Sequence, residues 1–546
     1  MDKDNKNFNP LSSPTEPMDV LSFEIKIDGK TLSNATPVVS ISVSKIFNKI
    51  AMIRLVILDG DPSKRTFSLS NKDDFKTGRE IEILLGYHQK NETVFKGLIT
   101  KHSVKSTTNQ ASYLYIEAKE KAVLMTLERK STYFLEEEEV EVIRTLAKEV
   151  GLEVETIEDT KDPIKGIADP LQMVQYYCSN WDFVLMRAEA NGWMVLTDDG
   201  KLKLIKPKIE EKPHYVATYG DNIFEFEGEL DARRFKKKVT TQAWNYAEQA
   251  IDSVEQEFPE SKNKAIEDEK NKPFQKEFVV KHNGYLGEEQ LGRWAKAHEL
   301  HTQLAEICGR VRVKGVALLK PGHTLQIKGI GDKFDTKVCV TGVLHQFSNN
   351  WTTDIQFGWM DDWFHKQADI EESAASGLLP GIQGLHIGLV TDVVDSKGEF
   401  RVRVKMPLIS KDEEGLWARV ATLDAGNQRG TFFRPEVGDE VILGFLQNDP
   451  RNAVILGGLH SSKNVAPLTN DQSKKESGFV SKNGLKMVFD DTQKSILITD
   501  GVNEISLGPQ GIRIKSNTSV NVESSGTMDI KSAAVLNIKG LPVNIN

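Results

Sequence analysis

Among the residues of this 546-residue chain that could do chemistry, His298, Glu299 and His301 stand closest together. They fall within Glu288 to Ile307, where Leu291, Trp294 and Leu304, with Cys308 just beyond, recur at helical spacing. Two histidines three apart on a helix could share a metal ion. The zinc-protease pattern needs them four apart with glutamate directly after the first, and that spacing is absent, so the cluster reads as a packed or exposed helix face. No GxSxG turn, Walker loop or CxxC pair occurs. Cys178, Cys308 and Cys339 are far apart and suit reduced core cysteines. Asp490, Asp491 and Asp500 sit at turns between strands, and the run Glu136 to Glu139 reads as solvated charge at a helix start, where the dipole favours it. These residues predict no catalytic set, no cofactor and no metal; carboxylates distant in sequence could be paired only by the fold.

The elements around them are mostly strands. From Leu21 to Ile116 the apolar residues alternate, as in Phe23, Ile25, Ile27 and again Ile81, Ile83, Leu85, with turn signals at Asp28, Gly29 and at residues 59–62. That pattern predicts a first all-β domain over 19–125, after a polar flexible leader at 1–18. Over 126–208 the period turns helical: Val140, Ile143, Leu146, Ala147 and Val150 form one face closed by Gly151, and a second helix is expected from about Pro170 to Gly192, followed by a hairpin. A second β-rich domain is expected over 209–370, with a charged insertion at 246–282 read as a long surface loop or exposed helix. A linker at 371–380 leads to a small closed barrel of about five strands over 381–462. A second linker at 463–478 precedes a purely strand-like region, 479–546.

Composition narrows the function. A net charge of -9 without a basic stripe argues against nucleic acid as partner. The N-terminus lacks the basic start and apolar block of a signal peptide, and no apolar run reaches the roughly 18 residues of a membrane span. Synthesis in a reducing cytoplasm is therefore expected.

The region from Ile512 divides without gaps into four octads. The first position holds Ile512, Val520, Met528 and Leu536; the third holds Ile514, Val522, Ile530 and Ile538; the fifth is Ser516, Ser524, Ser532 and Gly540. Positions one and three share a strand face, and a small residue at five permits a tight corner. An octad spans about 26 Å, too little for one chain to wind around its own core, whereas three chains can each supply one side of a triangular prism. The repeat thus predicts a homotrimeric, triple-stranded β-helix with these eight residues as its core. The alternative is a free β-rich tail or a sandwich edge, which would leave eight large apolar side chains exposed. The blunt end of such a prism, at Asn544, Ile545 and Asn546, would carry unpaired backbone groups and is expected to be capped by a tip protein.

Several segments resemble the VgrG-like spike proteins of type VI secretion, extracellular phage-tail-like particles and contractile phage tails. Residues 388–405 (GLVTDVVDSKGEFRVRVK), 415–420 (GLWARV), 425–426 (AG), 433–445 (FRPEVGDEVILGF), 449–451 (DPR) and 455–460 (ILGGLH) are similar to that family's oligonucleotide-binding-fold (OB-fold) module. Residues 75–83 (FKTGREIEI), 95–100 (FKGLIT) and 180–192 (NWDFVLMRAEANG) resemble its hub. The resemblance implies a mainly β fold: two β-barrel-like hub domains, an OB-fold barrel and a β-helical needle. It also implies a structural, non-enzymatic spike that meets tail tube, baseplate, a PAAR-like tip protein and cargo effectors, and touches a target membrane only in passing. After assembly into an injection particle the spike would be extracellular or delivered to a target cell. Arg419, Arg434, Glu436, Asp439 and Glu440 are then turn and trimer-contact residues. About eighteen residues separate His460 from Phe479, too few for the lysozyme domain of some phage spikes. An effector-bearing or cell-wall-degrading spike, or a β-helical adhesin, are the alternatives; for the adhesin, residues 480–546 contain a single aromatic, Phe489.

Overall fold

The computed structural model describes residues 20–107, 111–135, 138–156, 172–245, 248–261, 266–268, 272–282, 286–359, 366, 374–468 and 475–544. The chain forms two compact units, Met1–Glu372 and Ser373–Asn546. The expected leader lies outside the described residues.

In the first unit the alternating segments form a thirteen-stranded sheet. Strand Met52–Leu58 buries Ile53, Leu55 and Ile57 while Arg54 stays outside, the one-sided burial that alternation encodes. The two expected hub regions share this sheet: Val38–Ile46 pairs antiparallel with Lys337–Phe347, placing Val43 opposite His345. Phe347 and Trp351 complete the core around Leu55 and Phe95, and Trp351 stacks on Tyr87 at 5.1 Å. A second core gathers Tyr215, Val311, Leu325, Ile355 and Phe357.

Helix α1 (Glu139–Glu149) buries Val142, Ile143, Leu146 and Ala147, and its chain exit turns at Gly151 with φ +68°. Helix α2 (Asn180–Ala190) starts later than the apolar run suggested. Residues Gln172–Ser179 are instead a strand paired with Arg129–Leu135, because alternate side chains, Met173 and Gln175, turn inward. Ser179 caps α2 by accepting a hydrogen bond from Asp182 N at 3.1 Å. Glu139 also departs from expectation: it is buried and ion-paired with Arg187 of α2, a partner that only the packing of the two helices provides. Helix α3 (Glu288–Ala305) covers a three-stranded sheet of Lys236–Asn245, Ala250–Glu257 and Lys276–His282. Within the charged insertion, Ala250–Glu257 and Lys276–His282 are therefore strands where a loop or exposed helix was expected, while the described residues between them carry no strand. Its sheet needs only one apolar face, toward Leu291 and Ala295, so its sequence is dominated by the polar outer face.

In the second unit His386–Asp392, Val402–Lys405, Leu416–Val420, Ala453–Gly458 and Glu440–Phe445 close into a five-stranded barrel, in that order, around Val390, Val402, Val404, Val441 and Leu443. Strands Glu476–Val480, Lys486–Asp490, Ser495–Thr499, Glu504–Gly508 and Gly511–Lys515 follow as an antiparallel meander. The first octad thus begins in the last meander strand, and the described residues after Lys515 carry no strand.

Candidate functional site

The residues singled out for chemistry are dispersed. His301 is buried on α3, 3.8 Å from Glu189, and burial, with the nearby His298, pushes its pKa down to about 4. His298 stands edge-on to Phe278 at 5.4 Å, which makes it a packed helix face. Among the described residues no group of three His, Cys, Asp or Glu could hold a metal ion. Cys178, Cys308 and Cys339 are free and buried, and burial pushes the Cys308 and Cys339 thiols up to about 11 and about 12. Asp490 and Asp500 close turns, each accepting two backbone N–H groups of the residues that follow.

A dense titratable cluster in the first unit escaped the sequence reading. Lys45, 2% exposed, sets its Nζ 2.6 Å from Asp198, 3.3 Å from Asp199 and 4.0 Å from Glu120. Asp198 also meets Lys320 at 2.7 Å and Lys203 at 3.1 Å. Burial opposes charge on Asp198, yet the lysines hold its carboxyl well below the usual range; Glu120, farther from Lys45, is dominated by burial and rises to about 7. Asp198 is thus the countercharge of Lys45. The cluster ties the hairpin Met194–Asp198 and Lys201–Ile205 to the large sheet, and a single inward lysine in an alternating strand is the only sequence signal it leaves.

The second unit exposes the larger feature. Meander register places Phe479, Met487, Ile498, Ile505 and Ile514 in one row, and Phe489, Ile496, Leu507 and Ile512 in the next, on one face. The other face carries Asp490, Glu504, Ser506, Arg513 and Lys515, together with the buried Val488 and the half-buried Leu497. Among the described residues no layer covers this apolar face: Phe479, Met487, Ile498, Ile505, Leu507 and Ile514 are exposed, Ile512 is 73% exposed, and Phe489 and Ile496 are half-buried. Phe433 of the barrel stacks on Phe479 at 5.4 Å, and a groove of about 740 Å³ runs from there along Met487, Ile505 and Val520. The remaining core candidates, Val520, Val522, Met528, Ile530, Leu536 and Ile538, are exposed as well. Asn544 is exposed; Ile545 and Asn546 lie outside the described residues. In the barrel, Asp439 accepts Glu436 N at 2.8 Å, Arg434 donates to Arg401 O at 2.8 Å, and Glu436 pairs with Lys482 of the meander, while Arg419 is exposed.

A family model described as the Alg8 N-terminal domain matches residues 17–349, more than half of the chain. The chain belongs to that family. In this Alg8 N-terminal domain protein a second model, the type VI secretion system/phage-baseplate injector OB domain, matches residues 386–460, the five-stranded barrel. The type VI secretion system spike protein VgrG3 of Vibrio cholerae is 36% identical over 90 residues, 14% of this chain and 9% of the relative. The spike protein VgrG1a of Pseudomonas aeruginosa is 30% identical over 192 residues, 32% of this chain and 29% of the relative. The chain spans less than a third of the length of these curated relatives. A prophage MuSo2 43 kDa tail protein from Shewanella oneidensis aligns with 62% of this chain and 98% of its own, at 12% identity and a TM-score of 0.48. The resemblance to VgrG-like spike proteins read from the sequence is carried by the spike-protein and injector-domain matches.

Proposed function

We propose that this Alg8 N-terminal domain protein is the structural spike of a contractile injection system. In this reading it is a homotrimeric, non-enzymatic hub, joined to tail tube and baseplate, whose octads intertwine into a β-helical needle. The injector OB-domain match and the two VgrG spike relatives support it. The observation that carries it is the open apolar face of the meander, continued by the exposed octad side chains. Burying each such side chain is worth about 1.5–3 kcal/mol, and an alternating sheet with one bare apolar face does not persist in water. Two further copies supply the missing layer and pair the free edge of strand Gly511–Lys515. Ile512, Ile514, Val520, Val522, Met528, Ile530, Leu536 and Ile538 then fill the prism. The proposal assigns 19–125, 126–208 and 209–370 to the hub, 381–462 to the OB-fold barrel and 479–546 to the needle. A PAAR-type tip protein seated at Asn544–Asn546, cargo effectors, brief membrane contact and delivery out of the producing cell belong to it as well. Among the described residues no helix is long and apolar enough to cross a membrane.

Light scattering on the purified chain, beside a variant truncated before Ile512, tests the reading. A mass near three times 61.1 kDa, lost or weakened by truncation, is expected. A stable monomer at micromolar concentration overturns it.

A further inference from the structure

The barrel carries a projection and a hollow that one copy cannot bring together. Between strands Val402–Lys405 and Leu416–Val420 the chain turns over the buried Met406: Ile409 N donates to Met406 O at 3.0 Å, and Lys405 Nζ donates to Lys411 O at 2.8 Å. Asp412 N and Glu413 N donate to Ser410 Oγ at 3.3 and 3.2 Å. The return into the second strand passes Gly415 at φ +86°, where a Cβ would lie 1.9 Å from Val404 O. This internally bonded turn holds Leu408 101% exposed, with Ile409 beside it also exposed.

The hollow, about 490 Å³, opens where the same strand ends, against Val420, Leu423, Ile455 and Leu456, with Phe433 and Arg434 also lining it. Leu423 is 89% exposed. Projection and hollow lie at opposite ends of strand Leu416–Val420, about 13 Å apart along it. Their charges complement each other. Asp412 and Glu413 are exposed on the projection, while Glu414 is held by Arg403. At the hollow Arg434 is half-buried and donates one N–H group to Arg401 O, and Arg419, exposed on the adjoining strand, has no ion pair among the described residues; the one carboxylate lining the hollow, Asp439, is bonded to its own turn.

We propose that the Leu408–Ile409 turn of one copy seats in the Val420–Leu423–Leu456 hollow of the next, with Asp412 and Glu413 meeting Arg434 and Arg419. The contact is head-to-tail, so repeating it generates a closed ring when the rotation per copy suits. This inference rests on the trimer reading above and gives that trimer a second interface, separate from the needle. Phe433 lines both the hollow and the meander groove, so the two interfaces adjoin.

The test is thiol cross-linking of the full chain carrying both Leu408→Cys and Leu423→Cys, using a short bis-maleimide; the native cysteines are buried. Expected are covalent dimers and trimers from the double variant and none from either single variant or the parent chain. The Ile409→Cys, Leu456→Cys pair repeats the test should the first pair fold poorly. A trimeric mass without cross-links in either pair, or cross-links from Leu408→Cys alone, overturns this interface and leaves the trimer standing. A monomeric mass overturns both.

Discussion

Two regions of this chain use the same strand grammar with opposite results. In the first unit, Met52–Leu58 alternates apolar and polar residues, and its Leu55 is 0% exposed beneath a sheet that returns over it. In the meander, Glu504–Gly508 alternates in the same way, yet Ile505 and Leu507 remain open to solvent. The difference is length and connection. The first unit has enough strands and helices to enclose the core around Leu55, whereas the meander is a single layer followed by described residues that carry no strand. A covered face and a bare one therefore look alike in sequence.

Replacing Ile505 and Leu507 together by Asp should have the largest effect. It sets charges on the exposed apolar face that the proposed trimer covers, so light scattering should show single chains at micromolar concentration while the thermal transition of the first unit stays in place. A trimer surviving that change would break the contrast. Within the first unit, Lys45→Ala should cost about 3–5 kcal/mol, because Asp198 and its neighbours would be left buried without their central cation; denaturant unfolding measures this.

Acid should act on the first unit next. Burial lowers His301 and His323 to about 4 and His345 to about 3, so each is neutral when folded and takes up a proton on unfolding. Stability is then lost as pH falls from about 6.5 toward 4, by up to about 3 kcal/mol per histidine. Glu120, raised to about 7, acts in the opposite direction: the folded state holds its proton more tightly, so its contribution weakens as pH rises from about 4.5 to 7. Thermal unfolding between pH 7 and pH 4 should show a net fall that His345→Gln reduces. The smallest effect belongs to the exposed Lys482–Glu436 pair, where solvent screens the charges and Lys482→Ala should leave the thermal midpoint unchanged within the scatter of repeated melts.

Much of the architecture could be read from local pattern. The faces of α1 and α3, the five-stranded barrel and the alternation of the meander follow from spacing, because period 2 and period 3.6 are properties of adjacent residues. The strand Gln172–Ser179 was hidden because its inward Gln175 is polar and it runs directly into α2. Strands Ala250–Glu257 and Lys276–His282 were hidden because charge on an outer sheet face resembles charge in a loop. The burial of Glu139 against Arg187, and of Lys45 against Asp198, joins residues 48 and 153 positions apart, and nothing local marks such pairs.

The sequence by itself determined the alternation, the octad period and the barrel segments, and with them the requirement that the apolar faces be covered. The tertiary structure alone decided where cover exists. It joined Val38–Ile46 to Lys337–Phe347 across some three hundred residues, enclosed the Lys45 cluster, and left the meander bare. Covering a face depends on elements far away in the chain meeting in space, and residue spacing carries no record of that meeting.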